Sequence, residues 1–401
     1  GRLTLLRYGN DIAMVVSSDG SMSVDKQIFA DAARGCLVGG AIGDALGVPV
    51  EFLATEEIFK HYGSAGIQEF DLDAATGKAL ISDDTQMTLF TANGLLFGYT
   101  RTLYRGIAAA LSVYIRDAYL DWLHTQVPAY ANTPLSSWLL EVPELHAWRA
   151  PGRTCLTALA NGAHGSLDNV INNSKGCGGV MRVAPLGVFN EDPIQAAQNA
   201  AEAAAITHTH PLGFISAAVL AFLVSTFIHR DNPQVTKNDF KEALLACYTM
   251  LKEKFSEFKE DVEAQIALLK QAIDLAESGK KDLDAVLSLG EGWVGEETIA
   301  IAVYCACRHL DDFDAAVRAA VNHGGDSDST GAVTGNLIGS IVGFNRIDTR
   351  WIKNLELADV ILEMADDLVT SRYNGFSEWN VKPSEAELRW QNKYINGKRL
   401  R

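Results

Sequence analysis

Two sets of glycines, each repeating every four residues, constrain the fold of this 401-residue chain more than any other feature. Residues four apart share one face of a helix, and glycine inside a helix costs about 1 kcal/mol relative to alanine. A face of glycines offsets that cost when it lets another backbone approach closely. The pattern predicts two central helices in a tightly packed core, which either cross each other or pack separately against other helices. The two sets are Gly35, Gly39, Gly43 and Gly47, and Gly331, Gly335, Gly339 and Gly343.

From Lys26 onward, Ala- and Leu-rich segments with helical spacing follow one another along the chain. The segments QIFADAARGCLVGGAIGDAL, FISAAVLAFLVSTFIH and TIAIAVYCACRHL are typical of amphipathic or buried helices. No Pro/Ser-rich linker separates them. We therefore predict one all-α domain, a compact multi-helix bundle over residues 26–401.

Residues 1–25 have a different pattern. The runs RLTLLRY and DIAMVVS are β-prone, and the turn-forming sequence GND lies between them. We predict a short N-terminal extension that folds as a hairpin or an extended arm. Such a segment either packs on its own domain or contacts a partner.

Composition excludes several classes of partner and location. The net charge of −16 argues against a nucleic-acid groove, because phosphate binding requires clustered Lys and Arg. The six cysteines include no CxxC pair, which is typical of reduced, buried thiols. No run of about 20 apolar residues is present. We expect a cytoplasmic protein with no nucleic-acid partner and no membrane span.

Two acidic pairs precede apolar helical segments. Adjacent carboxylates repel each other, although the free N–H groups and the dipole of a helix N-terminus favour anions. Taken singly, each pair is explained by helix capping. Taken together, four carboxylates suit two hard cations that share a water, whereas the EF-hand pattern is absent. The residues concerned are Ser82, Asp83 and Asp84 in ISDDTQM, and Asp326, Asp328 and Ser329 in NHGGDSDST.

Six blocks of sequence resemble, in order, those of the ADP-ribosylglycohydrolase family, which includes the dinitrogenase reductase-activating glycohydrolases. They lie between Asp31 and Gly343. The blocks are GCLVGGAIGDALGVPVEF, SDDTQM, KGCGGVMRVAPLGVF, THTHPLGF, GEGWVGEETIAIAVY and NHGGDSDSTGAVTGNLIGS. The resemblance implies an all-α bundle with a binuclear Mg²⁺ or Mn²⁺ centre, which removes ADP-ribose from modified side chains or small molecules.

The resemblance also assigns roles to the acidic residues. The first glycine stripe runs into GDALGVPVEF, which carries Asp44 and Glu51, and Glu51 resembles a residue that orients or gates the metal centre. The implied metal ligands are Ser82, Asp83, Asp84, Asp326, Asp328 and Ser329. The implied catalytic carboxylates are Asp83, Asp84, Asp326 and Glu51, one of which would accept the proton of the attacking water.

A glycine-rich segment, SKGCGGVMR, resembles the loop that holds the diphosphate and distal ribose in this family. The implied binding residues are Gly176, Gly178, Gly179, Met181 and His208. Read without the resemblance, the glycines make a tight connection between helices, and a lone histidine is more often structural. The segment GRTC at 152–155 resembles a substrate rim of arginine-directed members. Trp293 either covers the adenine or fills the core, and of the two we expect the core.

The resemblance implies a metal-dependent hydrolase that removes ADP-ribose, and the similarity of SKGCGG and PGRTC to arginine-directed members predicts arginine side chains of modified proteins as the linkage. Two Mg²⁺ ions would hold the ribose 2′- and 3′-hydroxyls and acidify a water. Because some bacterial relatives in the resembled family neutralise ADP-ribosyltransferase toxins, the arm further suggests an immunity protein that binds a cognate toxin through residues 1–24. The alternatives are a non-enzymatic binder that uses the arm, and a hydrolase of a serine-linked or small-molecule ADP-ribose conjugate.

Overall fold

The computed structural model describes residues 4–8, 11–16, 24–106, 109–130, 136–371 and 382–399, which form two β-strands and seventeen α-helices. The strands are β1 (Thr4–Tyr8) and β2 (Asp11–Val16). The helices are α1 (Val24–Gly47), α2 (Thr55–Tyr62), α3 (Asp83–Arg105), α4 (Leu111–Gln126), α5 (Arg153–Ala160), α6 (Ala184–Phe189), α7 (Pro193–Ala205), α8 (Pro211–Ile228), α9 (Lys237–Lys254), α10 (Lys259–Glu277), α11 (Asp282–Leu289), α12 (Gly295–Arg308), α13 (Phe313–Val321), α14 (Ser327–Val342), α15 (Thr349–Lys353), α16 (Ala358–Ser371) and α17 (Glu385–Tyr394). The predicted all-α fold is confirmed.

The two glycine stripes pack directly against each other. They lie on α1 and α14, which run antiparallel with their backbones in contact. A Cβ atom added to Gly43 would lie 1.9 Å from the carbonyl oxygen of Gly331, and one added to Gly39 would lie 2.5 Å from that of Gly335. No side chain fits at such distances, so glycine is required on both faces. The predicted pair of central helices is therefore confirmed.

Helix α8 lies at the centre of the bundle beside this pair. It contacts α1, α7, α12 and α14, and almost all of its side chains are buried. Its length and apolar composition would suffice to cross a membrane, but 89% of the segment is buried inside the protein. Such burial is expected of a core helix, which must be apolar on all sides.

The N-terminal strands form an antiparallel hairpin, with Leu6 opposite Met14 and a register irregularity between Arg7 and Tyr8. The β-prone extension is thus observed as a hairpin. Helix α1 begins at Val24, so it crosses the predicted boundary at residue 25. The division into two units stays a prediction, because the side chains of residues 1–25 lie outside the described part of the structure.

The C-terminal helices close the bundle. Helix α16 packs along α1, and Trp351 and Trp390 are buried. Helix α17 is held by an ion pair of 2.5 Å between Lys393 and Asp367. Trp379 lies outside the described residues. The six cysteines are free thiols, and Cys177 is the one that is half-exposed.

We predict that Gly43→Ala destabilises the protein by about 3 kcal/mol, because the new methyl group would overlap the Gly331 carbonyl and force α1 and α14 apart. Gly152→Ala is the matched control, since no atom lies within 4 Å of a Cβ at that position. The control should change stability by no more than about 0.5 kcal/mol. Chemical denaturation of both variants measures the difference, and equal midpoints would contradict the close backbone contact.

Candidate functional site

The first acidic motif lies at the start of α3. Ser82 is the N-cap residue, and its Oγ accepts a hydrogen bond of 3.1 Å from the backbone N–H of Asp84. Asp83 and Asp84 occupy the first turn, where the free N–H groups and the helix dipole favour negative charge. All three residues are buried. The cap expected from the sequence is therefore present, but it holds two carboxylates away from solvent.

Asp44, near the end of the glycine helix α1, anchors this motif. Its carboxylate accepts hydrogen bonds from the backbone N–H and the Oγ of Ser82, at 2.9 and 2.6 Å, and from the Oγ1 of Thr85 at 2.6 Å. Burial, followed by repulsion from Asp328, raises the pKa of Asp44 to about 7. Sequence reasoning noted Asp44 but gave it no role. Its position directly after Gly43 was the sequence signal that could have indicated a role in the site.

The second acidic motif meets the first directly. Asp326 stands at the N-cap position of α14, and Asp328 and Ser329 lie in its first turn. The Oγ of Ser329 donates a hydrogen bond of 2.7 Å to Oδ2 of Asp84, a residue 245 positions earlier. Two helix N-termini, those of α3 and α14, therefore bring their carboxylates to one place.

The carboxylates form two overlapping groups of three. Oxygens of Asp44, Asp84 and Asp328 lie within 4.8 Å of one another, and so do oxygens of Glu51, Asp326 and Asp328. Asp328 belongs to both groups and is buried, and its Oδ1 has no hydrogen-bond partner. A buried carboxylate oxygen without a partner is costly unless it coordinates a cation. The donor set, which consists of oxygens, fits hard divalent cations.

Electrostatics supports the same interpretation. Burial is the first cause and Asp328 the second in raising the pKa values of Asp83, Asp84 and Asp326 well above their ordinary range. The same causes raise the pKa of Glu51 to about 9. The cluster must therefore take up protons or bind cations, because so many buried like charges cannot remain unbalanced.

The glycine-rich segment borders the acidic cluster. The Cys177 thiol donates to Oδ2 of Asp326 at 2.7 Å and lies 3.5 Å from the Oγ of Ser329. Residues 175–177 run beside 293–295, with the Cys177 N–H bonded to the Trp293 carbonyl at 3.1 Å. Cys177 had no predicted role. Its place between the predicted glycines was the signal that sequence reasoning passed over.

The predicted binding residues take different positions around this segment. A Cβ on Gly178 would lie 2.7 Å from a ring carbon of His208, and one on Gly179 would lie 2.9 Å from the Gly213 carbonyl oxygen. Gly176 also lies beside His208, but a Cβ there would make only ordinary contact. Met181 is buried in the core, and its carbonyl accepts from Thr88. Close packing therefore accounts for the glycines at 178 and 179.

His208 supports the segment from the buried side. Its Nδ1 lies 2.7 Å from the Oγ1 of Thr207, and the side chain is almost inaccessible to solvent. Burial, followed by the nearby Arg182 guanidinium, lowers the pKa of His208 to about 3. The ring is therefore neutral at ordinary pH, and it can donate or accept one hydrogen bond at Nε2 without carrying charge.

The rim of the cluster differs from expectation at one point. Trp293 was predicted to be a core residue, but its side chain is 40% exposed and stacks on the exposed ring of Phe52. The prediction was wrong because residue 293 lies in the loop before α12, where helical periodicity does not apply. The backbone of Gly152 lowers the pKa of Asp83, so the start of GRTC lies near the acidic residues.

Comparison with known proteins identifies the family. A profile of ADP-ribosylglycohydrolases matches residues 25–377. The chain belongs to the ADP-ribosylglycohydrolase family. It is 24% identical to ADP-ribosylarginine hydrolase Tri1 of Serratia proteamaculans, over 84% of this chain and 79% of that protein. It is 23% identical to ADP-ribosyl-[dinitrogen reductase] glycohydrolase of Rhodospirillum rubrum, over 82% of this chain and 91% of that protein.

A solved structure described as an ADP-ribosylglycohydrolase-related protein complex has the same fold. Its TM-score is 0.57 at 23% identity, and the match covers 86% of this chain and 99% of that one. The acidic cluster therefore lies in a glycohydrolase of this family, and it is a site that could bind metal.

We predict that the metal-free protein loses stability as pH rises from about 5 to about 8. In the unfolded chain Asp44 and Glu51 titrate near 3.8 and 4.5, but in the folded protein their pKa values are raised. Between those limits the folded state binds more protons than the unfolded state, so stability falls with pH. Mg²⁺ or Mn²⁺ should replace the protons and reduce the slope.

Thermal denaturation at several pH values, with EDTA or with the cation, measures both slopes. Asp328→Asn removes a carboxylate common to both groups, and it should reduce the cation effect. Identical slopes with and without cation in the unsubstituted protein would contradict the metal assignment.

Proposed function

We propose that this protein hydrolyses the bond between ADP-ribose and arginine side chains of modified proteins, with two Mg²⁺ or Mn²⁺ ions held by the acidic cluster. The observation that carries the proposal is that two sets of three clustered carboxylates share Asp328, beside the glycine-rich segment. Arginine is the favoured linkage because SKGCGG and PGRTC resemble arginine-directed members, and because the Serratia relative is named as an ADP-ribosylarginine hydrolase.

The residues that would hold the ions follow from the two groups. One ion would lie among Asp44, Asp84 and Asp328, and the other among Glu51, Asp326 and Asp328. Asp83 adds negative charge nearby, and Ser82 and Ser329 supply hydroxyl oxygens next to the carboxylates. When bound, the ions would supply positive charge that orients the ribose diol and activates a water for attack on the anomeric carbon.

Glu51 differs from the other acids in accessibility. It is half-buried, whereas Asp83, Asp84 and Asp326 are buried, and it is followed by the exposed Phe52. A carboxylate at the exposed edge of the cluster can reach both substrate and solvent, and bound cations would lower its raised pKa, so we assign Glu51 to accept the proton of the attacking water. The buried aspartates would bind the cations and fix their positions. The glycine-rich segment would offer backbone N–H groups to the diphosphate.

Release of ADP-ribose from arginine-linked and serine-linked peptides in the presence of Mg²⁺ or Mn²⁺ tests the proposal. The unsubstituted protein should release it from the arginine-linked peptide, and Asp328→Asn should lower the rate about 1000-fold, which corresponds to about 4 kcal/mol of charge stabilisation. Glu51→Gln should also lower the rate, while it should keep more of the cation-induced stabilisation than Asp328→Asn. Asp231→Asn, at an exposed position, is the control and should retain full activity.

Each alternative has its own outcome in the same assay. Release from the serine-linked peptide alone would replace arginine by serine as the substrate linkage. Binding of the modified peptide without release from either would favour the non-enzymatic binder. Full activity in excess EDTA would contradict the metal assignment.

The N-terminal hairpin carries the immunity part of the hypothesis. It precedes the family match, which begins at residue 25, and the contacts of its side chains lie outside the described residues. If residues 1–24 bind a cognate ADP-ribosyltransferase toxin, their deletion should weaken toxin binding and leave ADP-ribose release unchanged. A pull-down with the toxin and the hydrolysis assay measure the two effects, and undiminished binding would contradict this role.

A further inference from the structure

We propose that Arg149 and Glu356 are positioning residues that fix the backbone entering the Ser82–Asp84 segment. The inference builds on the proposed function, because it concerns how those acids are held. Neither residue belongs to the sequence motifs described above. The two residues are 207 positions apart and meet only in the folded protein.

The two side chains form hydrogen bonds with the backbone carbonyl and the backbone N–H of Ile81, the residue before Ser82. Arg149 Nη1 donates a hydrogen bond of 2.6 Å to the carbonyl oxygen of Ile81. Glu356 Oε1 accepts one of 3.3 Å from the Ile81 N–H. The two side chains also form a bidentate ion pair, with both nitrogen–oxygen distances at 2.9 Å. The backbone is thus held at the residue immediately before the first hydroxyl of the acidic motif.

Backbone bonds extend this attachment. The Ala79 N–H donates to the Asn354 carbonyl at 2.8 Å, and the Glu356 N–H donates to the Ala79 carbonyl at 3.1 Å. From the other side, Gln86 in α3 donates to the Ala147 carbonyl at 3.0 Å. The loop that carries Arg149 and the turn that carries Glu356 therefore enclose the start of α3.

Both partners are followed by strained backbone. Ala150 and Leu357 have φ values of 48° and 60°, a region in which residues other than glycine are disfavoured by about 1–3 kcal/mol. Such conformations persist where the surroundings determine them. Here they follow directly on the two residues of the ion pair, so they contribute to the placement of Arg149 and Glu356.

The ion pair between Arg149 and Glu356 is better explained by a role in positioning the backbone than by a contribution to the stability of the protein. Their side chains are only 16% and 9% exposed, and a buried ion pair often adds little net stability because both charges lose hydration. The planar guanidinium can bond two carboxylate oxygens and a carbonyl at once, which lysine cannot reproduce. Fixed backbone is needed here because the adjacent Asp83 and Asp84 repel each other.

The test compares Arg149→Lys with Arg34→Lys. Arg34 forms an equally bidentate, similarly buried pair with Asp366, between α1 and α16, and it is the matched control. Hydrogen–deuterium exchange of the folded protein should become faster in residues 79–86 for Arg149→Lys and stay unchanged there for Arg34→Lys. Mn²⁺ affinity, measured by calorimetry, should fall about tenfold for Arg149→Lys alone.

Glu356→Gln keeps the shape of the side chain and serves as the second variant if Arg149→Lys does not fold. It should show the same two changes to a smaller extent. Unchanged exchange in residues 79–86, for whichever of the two variants folds, would overturn the positioning role. Failure of the unsubstituted protein to release ADP-ribose would count against the proposed function instead, because the exchange measurement does not depend on activity.

Discussion

The backbone contact between α1 and α14 is the interaction on which the rest of the structure depends. It continues to the ends of both helices, where a Cβ on Gly47 would lie 2.3 Å from the Ser327 carbonyl oxygen. That end of α14 carries Asp328, and the same end of α1 carries Asp44. Helices with ordinary side chains pack with axes about 8–10 Å apart. The glycine contact brings their backbones closer and allows carboxylates from both helices to share one site.

This arrangement brings several buried carboxylates together, and the fold offsets only part of their mutual repulsion. Two helix N-termini, those of α3 and α14, direct free N–H groups toward the acids, and Asp44 receives four further donors from Ser82 and Thr85. Asp328 retains a buried oxygen without a partner. The remaining negative charge requires protons or cations, which links the stability of the protein to the occupancy of its site.

Part of this site could be predicted from the sequence, because the features concerned are set by residue patterns within single helices. Glycine spacing identifies the faces of α1 and α14, because the four-residue period is a property of a single helix. The motifs SDD and DSD identify helix N-termini for the same reason, and the family resemblance placed them together. The structure brings Asp84 and Ser329 into contact, as that placement requires.

Other features depend on contacts between distant segments, which no local pattern records. Asp44 is tied to residues 38 and 41 positions away, and Arg149 to one 207 positions away. Trp293 was misplaced because an aromatic residue near a helix is read as core, whereas this one precedes the helix and faces Phe52. In each case the deciding information is which loop lies beside which helix end.

Anomalous diffraction from crystals grown with Mn²⁺ tests the central claim most directly, because it locates the cation without reference to activity. We expect two peaks about 3.5–4 Å apart, one among Asp44, Asp84 and Asp328 and one among Glu51, Asp326 and Asp328. Absence of any peak within this cluster, with Mn²⁺ present in excess, would contradict it.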